Sequence, residues 1–188
     1  MELQGERLIP APQDKTWAAL NDPDTLKACI AGCESLERTG DDAFAALVAV
    51  KVGPVSARFK GNLKLLNVQA PNSYTINFDG QGGVAGFGKG SADVTLSPEG
   101  GQTRLKYLAK ATVGGKMAQV GSRLIDAAAA KVAEDFFKAF ETQLAPPVPA
   151  TADTGQVPMP ADTPKNNRAL WWGVAALVVL LLWYWLSR

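Results

Sequence analysis

Alternating apolar and polar residues predict a series of antiparallel strands between positions 34 and 113. In the strand that begins at Val55, every second residue up to Leu65 is apolar or glycine, and the residues between them are polar. The segments that begin at Ser73 and Thr103 alternate in the same way, and turn residues separate one strand from the next. One apolar and one polar face is typical of an antiparallel sheet that is covered on a single side.

Helical periodicity places helices before and after these strands. A short strand over residues 2–10 precedes helices predicted over 11–19 and 24–30. From 115 to 144, apolar residues recur at three- and four-residue spacing, which is typical of a long helix that covers a sheet. This stripe consists of Met117, Val120, Leu124, Ala128, Val132, Phe136 and Phe140. The pattern predicts an α+β fold in which an antiparallel sheet wraps on a long C-terminal helix.

The sequence changes character after residue 144. Residues 145–168 contain six prolines and no aromatic residue, which predicts a flexible, disordered linker. Residues 169–186 read ALWWGVAALVVLLLWYWL and carry no charge. As a helix this run rises about 27 Å, close to the roughly 30 Å hydrocarbon thickness of a bilayer. The alternative is a buried C-terminal helix, but a core helix is rarely apolar on every face. We predict a folded domain at 1–144, a linker at 145–168 and a transmembrane anchor at 169–186.

The flanking residues predict how this anchor is oriented. The N-terminal residues lack the apolar segment of a secretory signal, so we expect the domain to stay in the cytoplasm. Lys165 and Arg168 precede the apolar run, in agreement with the tendency of basic residues to remain on the cytoplasmic side. Free thiols at Cys29 and Cys33 suit a reducing compartment. The sequence therefore predicts a single-pass membrane protein whose domain faces the cytoplasm.

Composition and charge exclude several classes of function. The 19 basic and 18 acidic side chains give a net charge of +1, which provides no electrostatic footprint for nucleic acid. The chain has no histidine, which removes imidazole acid–base chemistry and histidine-ligated metal sites. Two cysteines cannot complete a four-ligand zinc site without other ligands. We predict no catalytic residue and no metal site, and we expect that the protein is not an enzyme.

Two smaller features admit alternatives. Cys29 and Cys33 have the spacing of a metal pair or disulfide if one helix spans both, but we favour small buried hydrophobic residues.

Basic side chains on two predicted strands form a docking surface for lipid headgroups or an acidic partner if those strands are neighbours. These side chains are Arg58, Lys60, Lys64, Arg104, Lys106 and Lys110. An ordinary solvated face is the alternative that we favour, because the charge of residues 1–144 is balanced.

Small residues recur on both layers of the predicted sandwich, in the strand near Val84 and in the facing part of the long helix. They allow either close packing of the two layers or a hollow between aromatic side chains that suits an apolar ligand. The pattern leaves both outcomes open. If there is a hollow, its predicted lining is Phe44, Phe59, Tyr74, Phe78, Gly86, Gly88, Gly90, Tyr107, Met117, Val120, Gly121 and Leu124.

Several short stretches of residues 1–144 carry a family signature when they are taken in order. They include Ile30-Ala31-Gly32-Cys33-Glu34, Phe59-Lys60-Gly61 and Gly86-Phe87-Gly88-Lys89-Gly90-Ser91-Ala92. The stretch from Gly114 to Ile125 matches best and continues into Ala133–Phe137. Together these stretches resemble the carbon monoxide dehydrogenase CoxG subunit family, whose members commonly have proline where this chain has Ala31.

The resemblance implies the helix-grip fold of the START and Bet v 1 superfamily, and a membrane-tethered accessory protein of a bacterial molybdenum hydroxylase. The hydroxylase is cytoplasmic, typically the carbon monoxide dehydrogenase, and passes electrons to the quinone pool. The domain would dock this enzyme at the cytoplasmic membrane, carry a respiratory quinone (menaquinone or ubiquinone) in an apolar cavity, or do both. The resemblance implies no covalent cofactor. A general binding protein for lipids or other hydrophobic ligands and an enzyme of the cyclase or aromatase kind are the other function classes.

Overall fold

The computed structural model describes residues 1–145, which form one antiparallel sheet, three α-helices and two 3₁₀ turns. The strands are β1 (Glu2–Ile9), β2 (Cys33–Gly40), β3 (Ala43–Val52), β4 (Val55–Gln69), β5 (Ser73–Gln81), β6 (Phe87–Glu99) and β7 (Gln102–Gly114). The helices are α1 (Gln13–Leu20), α2 (Pro23–Cys29) and α3 (Ser122–Leu144). The first 3₁₀ turn is Gly83–Ala85, and the second 3₁₀ turn is Gly115–Val120.

The strand order in the sheet is β1-β7-β6-β5-β4-β3-β2, and every neighbouring pair is antiparallel. Strands β2 to β7 form a meander, and β1 adds to the end of it by pairing with β7. The register places Leu65 opposite Ile76, Tyr74 opposite Val94, and Val94 opposite Tyr107. Because side chains alternate between the faces of a strand, these apolar residues share the inward face. The predicted sheet and its helix-grip architecture are confirmed.

Side chains pair with backbone groups at the start of α2 and at the end of α1. The Asp22 carboxylate accepts a hydrogen bond of 2.9 Å from the backbone N–H of Thr25, and Pro23 occupies the first position of α2. This arrangement is a side-chain cap followed by a proline, which is tolerated because an N–H group at the first helical position has no acceptor within the helix. At the end of α1, the Asn21 side-chain amide donates to the Trp17 carbonyl oxygen at 2.8 Å.

The core lies where the C-terminal half of α3 and helix α1 meet the sheet. Phe140 of α3 and Ile9 of β1 are fully buried. Two buried threonines also lie here: the Thr16 hydroxyl donates to the Thr103 hydroxyl at 3.1 Å, which donates to the Ala11 carbonyl oxygen at 2.7 Å. Every polar group of this chain of contacts has a partner, so its burial carries no penalty for a lost hydrogen bond.

The long C-terminal helix begins later than the sequence predicts. It starts at Ser122 instead of Gly115, and the preceding residues form the second 3₁₀ turn. Gly121, between the two, has a φ of +95°, which lies outside helical geometry and which residues with a side chain rarely adopt. The apolar spacing of residues 115–120 therefore reports a 3₁₀ turn that buries Met117, not a continuous helix.

The strand predicted near Val84 also begins later, because Gly83–Ala85 form the first 3₁₀ turn and β6 starts at Phe87. Gly86 has a φ of +114°, and a Cβ atom there would lie 1.9 Å from the Gly114 carbonyl oxygen. This position needs glycine for its backbone conformation and for the close approach of another chain segment. Gly86 therefore belongs to a turn, and the prediction that it lies on a strand face is wrong.

The predicted linker and anchor, 145–168 and 169–186, lie outside the described residues apart from Ala145. Within residues 1–145, no helix combines the length and the apolar character that a membrane crossing requires.

Candidate functional site

An apolar cavity of about 400 Å³ lies between the inward face of the sheet and α3. The strands contribute Leu3, Leu36, Phe44, Leu63, Leu65, Tyr74, Ile76, Val94, Leu105, Tyr107 and Ala109 to its wall. The helices and the residue after α2 contribute Leu20, Leu26, Ile30, Ala129, Val132, Ala133, Phe136 and Phe137. Among these lining residues only the two tyrosines carry a polar side-chain group. A concave apolar site of this volume is typical of sites for small apolar ligands.

Alternation along the strands brings the cavity wall together. Val94 on β6 has Tyr74 of β5 on one side and Tyr107 of β7 on the other. Side chains on neighbouring strands lie about 5 Å apart, so the two phenol rings flank Val94 on the same face. Helix α3 then lies over this face and supplies Ala133 and Phe137 to the opposite wall.

Aromatic contacts fix the position of both tyrosines. The Tyr107 ring stacks on Phe137 with centroids 5.2 Å apart, and the Arg7 guanidinium lies 5.8 Å from the centroid of the same phenylalanine. The Tyr74 ring meets Trp17 edge-on at 5.3 Å. These geometries are favourable arrangements of aromatic rings and of a cation above a ring. The ring positions are therefore set by the packing of α1 and α3.

The hydroxyl groups of the two tyrosines have different surroundings. Tyr74 is 4% exposed, and burial raises the pKa of its phenol well above the ordinary value. Tyr107 is half-buried, and its hydroxyl extends over β1, where a Cβ atom at Gly5 would lie 2.6 Å from the phenol oxygen. The phenol of Tyr74 is consequently neutral at physiological pH and can donate a hydrogen bond.

Three of the twelve predicted lining residues, Phe44, Tyr74 and Tyr107, line the cavity. The other two predicted aromatic residues do not, although both face the same side of the sheet. The Phe59 ring lies over Gly82, where a Cβ would come within 2.6 Å of it, and the Phe78 ring lies over Gly90 at 2.9 Å by the same measure. These rings take the space beside neighbouring glycines and do not line the apolar cavity, although Phe78 lines a second, more open pocket.

The remaining predicted lining residues lie in or next to the 3₁₀ turns, in the first residues of β6 or at the start of α3, and none of them lines the cavity. Gly88 faces open space, with nothing within 4 Å of a Cβ placed there. Met117 is buried in the second 3₁₀ turn, whereas Leu124 is 50% exposed at the start of α3. The others in this group are Gly86, Gly90, Val120 and Gly121. Gly86 and Gly90 need glycine because a Cβ atom there would collide with the backbone of a neighbouring segment. Gly121 needs glycine because its φ is positive.

Several lining residues were not among the predicted ones. Leu26 and Ile30 come from α2 and the residue after it, and no periodic pattern marks so short a helix. Leu63, Leu65 and Ile76 lie on the predicted inward face of the sheet, so alternation contains the signal for them. Distinguishing the lined part of this face from the rest requires the position of α3.

The two cysteines do not share a helix. Helix α2 ends at Cys29, and Cys33 begins β2, so the helical spacing that a metal pair would need is absent. Cys29 is 3% exposed, and burial raises the pKa of both thiols. Within residues 1–145, no group of three or more acidic, cysteine or histidine side chains is placed to hold a metal ion.

The six basic residues on β4 and β7 do not form one surface, because β5 and β6 lie between the two strands. On β7, the Arg104 guanidinium pairs with the carboxylates of Glu6 and Glu99. On β4, Arg58 pairs with Glu34 at 2.7 Å. Carboxylates from neighbouring segments thus offset much of this positive charge, as expected of an ordinary solvated face.

Comparison with known proteins identifies relatives of the fold and of the sequence. The chain is similar to a conserved protein from Geobacillus kaustophilus, with 29% identity, a TM-score of 0.72, and coverage of 77% of this chain and 95% of that one. The protein TTHA0849 from Thermus thermophilus has 18% identity, a TM-score of 0.59, and coverage of 77% and 97%. The ZhuI aromatase/cyclase from Streptomyces sp. R1128 has 13% identity, a TM-score of 0.56, and coverage of 77% and 93%. No curated protein matches the chain.

The last two likenesses show the fold alone, which is helix-grip-like. The sequence model of the carbon monoxide dehydrogenase CoxG subunit family matches residues 5–145, which include every strand pair and the whole cavity wall apart from Leu3. The chain therefore belongs to the carbon monoxide dehydrogenase CoxG subunit family.

Proposed function

We propose that this protein is a membrane-tethered accessory subunit of a cytoplasmic molybdenum hydroxylase of the carbon monoxide dehydrogenase type, and that it carries a respiratory quinone in its cavity. The observation that carries the proposal is the 400 Å³ apolar cavity in a domain of the CoxG family. The family name associates the domain with carbon monoxide dehydrogenase. The cavity supplies a place for an apolar molecule that such an enzyme uses.

The cavity wall suits a flat ring that bears an isoprenoid chain. Phe44, Tyr74 and Tyr107 offer broad aromatic contact from the sheet, and Phe136 and Phe137 offer it from α3. Burying apolar surface contributes about 25 cal/mol per Å², but a quinone that leaves the bilayer gives up similar contacts there. The net free energy of transfer is therefore small, and uptake is reversible, as a carrier requires.

The tether in this proposal is the run of eighteen uncharged residues at 169–186, reached through the proline-rich stretch at 145–168. Twenty residues of polyproline geometry extend about 60 Å, which lets a tethered domain move between the bilayer and a bound enzyme. Docking the enzyme and delivering the quinone are then two parts of one role. The domain faces the cytoplasm, where the hydroxylase is located.

The protein in this proposal is a carrier without catalytic activity. The described cavity wall contains two phenols and no carboxylate, amine or thiol that would move a proton. A cyclase or aromatase activity is the competing function, and the similarity to the ZhuI aromatase/cyclase favours it. That similarity is one of fold, and a single fold supports many unrelated functions. General lipid binding is the other alternative, since an apolar wall does not by itself select a quinone.

Native mass spectrometry of the full chain, extracted gently from membranes of the organism that produces it, tests the proposal. We expect a population whose added mass equals that of a respiratory quinone, and a second population bound to a molybdenum hydroxylase. A protein that carries phospholipid alone would instead support general lipid binding. Recovery with neither an apolar molecule nor the hydroxylase would contradict the proposed function.

Membrane fractionation tests the tether separately. We expect the full chain to sediment with membranes and a chain truncated after Leu144 to remain in the supernatant, because the truncation removes the apolar run. Protease added to intact spheroplasts should leave the domain uncut until the cells are lysed. A truncated chain that still sediments, or a domain cut in intact spheroplasts, would overturn this part of the proposal.

A further inference from the structure

The side chain of Tyr74 lies in the cavity wall, and its hydroxyl group has no hydrogen-bond partner within residues 1–145. This side chain, on β5, is 4% exposed and lies in the cavity wall. Its hydroxyl makes no hydrogen bond with any residue between 1 and 145, whereas the buried hydroxyls of Thr16 and Thr103 both do. No completely enclosed side-chain oxygen within residues 1–145 lacks a partner, so the Tyr74 oxygen is not completely enclosed, and the space that this side chain lines is the cavity. Because buried polar groups are normally paired, an unpaired one at a cavity wall indicates a partner that enters the cavity.

The side chains around Tyr74 in the cavity wall provide no hydrogen-bond partner for its hydroxyl group. Leu65, Ile76 and Val94, next to Tyr74 on the sheet, have side chains without polar atoms. Trp17 presents its ring edge-on to the Tyr74 ring. The hydroxyl of the other tyrosine in the wall extends over the edge strand β1. Of the two hydroxyl groups in the described wall, that of Tyr74 is therefore the more deeply buried, and it lies among apolar side chains.

We propose that the Tyr74 hydroxyl donates a hydrogen bond to a carbonyl oxygen of the bound apolar molecule, so that the cavity selects carbonyl-bearing rings over hydrocarbons of the same shape. This inference rests on the proposed function, because it requires that an apolar molecule enters the cavity. A neutral phenol is a donor that keeps its proton, and the raised pKa of Tyr74 keeps it neutral at physiological pH. A carbonyl oxygen carries no proton, so it can only accept the hydrogen bond that the phenol donates.

The edge-on contact with Trp17 gives the phenol a fixed direction. With the ring centroids 5.3 Å apart at an interplanar angle of 72°, the Tyr74 ring is held between α1 and the sheet. A donor that is already oriented loses little freedom when the ligand binds, which strengthens the selection. Tyr74 is in this sense a residue that determines specificity, whereas the aliphatic wall provides most of the affinity.

The test compares two probes of nearly equal shape. Menadione (2-methyl-1,4-naphthoquinone) carries two ring carbonyls, and 2-methylnaphthalene carries none. Dissociation constants of both probes are measured for the full chain, for Tyr74→Phe and for Thr75→Val, at one fixed detergent concentration. We expect Tyr74→Phe to weaken menadione binding about threefold to tenfold, the usual range for one hydrogen bond, and to leave 2-methylnaphthalene binding unchanged. Thr75→Val, the matched control, removes a hydroxyl group from the opposite face of β5, outside the cavity wall, and should leave both constants unchanged.

The infrared carbonyl stretch of bound menadione gives a second measurement that needs no variant. We expect a shift to lower frequency, since a hydrogen bond weakens the C=O bond, and we expect the shift to disappear in Tyr74→Phe. An unshifted band in the wild type, or equal loss of both probes in Tyr74→Phe, would overturn the inference and leave the proposed function intact. A wild-type chain that binds neither probe would instead contradict the proposed function itself.

Discussion

The two ends of the sheet are held together in different ways. We call the end at which α1 and the C-terminal half of α3 meet the sheet the packed end, which includes Ile9, Thr103 and Phe140. We call the opposite end, with both 3₁₀ turns and the start of α3, the glycine end. Large buried side chains fill the packed end, whereas backbone segments contact each other directly at the glycine end.

The glycine end shows what its small residues do. Gly86 approaches Gly114 so closely that a Cβ on Gly86 would lie 1.9 Å from the Gly114 carbonyl oxygen. The Phe87 ring in turn covers Gly114, with 2.4 Å to a Cβ placed there. At the start of α3, Leu124 is 50% exposed. These glycines bring chain segments together, so they remove volume between the layers instead of supplying it.

The cavity depends on the packed end. Its wall includes Leu105 and Phe137, which also belong to the main hydrophobic core, and none of the glycines from the 3₁₀ turns. A hollow persists in a protein only where the surrounding side chains cannot collapse into it. The aromatic contacts among Tyr107, Phe136 and Phe137 provide that rigidity.

The largest expected effect is at the packed end. Phe140→Ala should lower the free energy of unfolding by about 3–5 kcal/mol, because it removes a fully buried ring and leaves a cavity. Leu124→Ala, at the glycine end of the same helix, should cost less than about 1 kcal/mol, because half of that side chain is already exposed. Urea unfolding of the full chain in mild detergent, followed by circular dichroism, measures both. Equal losses of unfolding free energy in the two variants would mean that the two ends do not differ in packing.

The next effect separates two glycines of the glycine end. Gly86→Ala should cost about 2–4 kcal/mol, because alanine disfavours a φ of +114° and its Cβ would collide with the Gly114 carbonyl oxygen. Gly88→Ala is the matched control two residues away, where a Cβ meets nothing within 4 Å, and it should change stability by less than about 1 kcal/mol. The same unfolding measurement applies. If both variants were equally stable, close backbone contact would not hold this end together.

The smallest effect is expected at the cap of α2, which supplies Leu26 to the cavity. Asp22→Ala should cost about 1 kcal/mol near neutral pH, because the carboxylate accepts the hydrogen bond from the Thr25 N–H. The hydrogen bonds from Thr25 lower the pKa of Asp22 below its ordinary value of 3.8. The stabilisation is thus complete above that value and is lost as the pH falls through the lower pKa of the folded state.

Unfolding free energies of the wild type and Asp22→Ala at about pH 7 and about pH 2.5 check this prediction. The difference between the two proteins should shrink at the lower pH. A difference that is the same at both values would mean that the charge of Asp22 plays no part in the cap.

The sequence predicts the sheet well and the cavity only in part. Alternation identifies the inward face, and with it Phe44, Tyr74 and Tyr107, because the period of two is a local property of a strand. It cannot say which part of that face α3 covers, since this depends on where the helix begins. Gly121 determines that start through its backbone conformation, which the apolar spacing of residues 115–144 does not reveal.

Glycine patterns mislead for a related reason. The alternation of Gly86, Gly88 and Gly90 is compatible with an open strand face, with a turn and with close backbone contact. The structure contains all three: Gly88 faces open space, Gly86 lies in a turn, and a Cβ on Gly90 would lie 2.1 Å from the Lys110 carbonyl oxygen. Only the neighbouring chain segments distinguish these roles, and they are distant in sequence.

The most direct test of the account is whether filling the cavity removes ligand binding. Ala133→Leu places a larger side chain in the cavity wall, and Ala130→Leu places the same side chain on the exposed side of α3 three residues earlier. Both substitutions suit a helix. We predict that Ala133→Leu weakens menadione binding to the full chain about tenfold or more, while Ala130→Leu stays within about twofold of the wild type. Unchanged menadione binding in a folded Ala133→Leu protein would contradict the claim that the apolar molecule occupies the space between the sheet and α3.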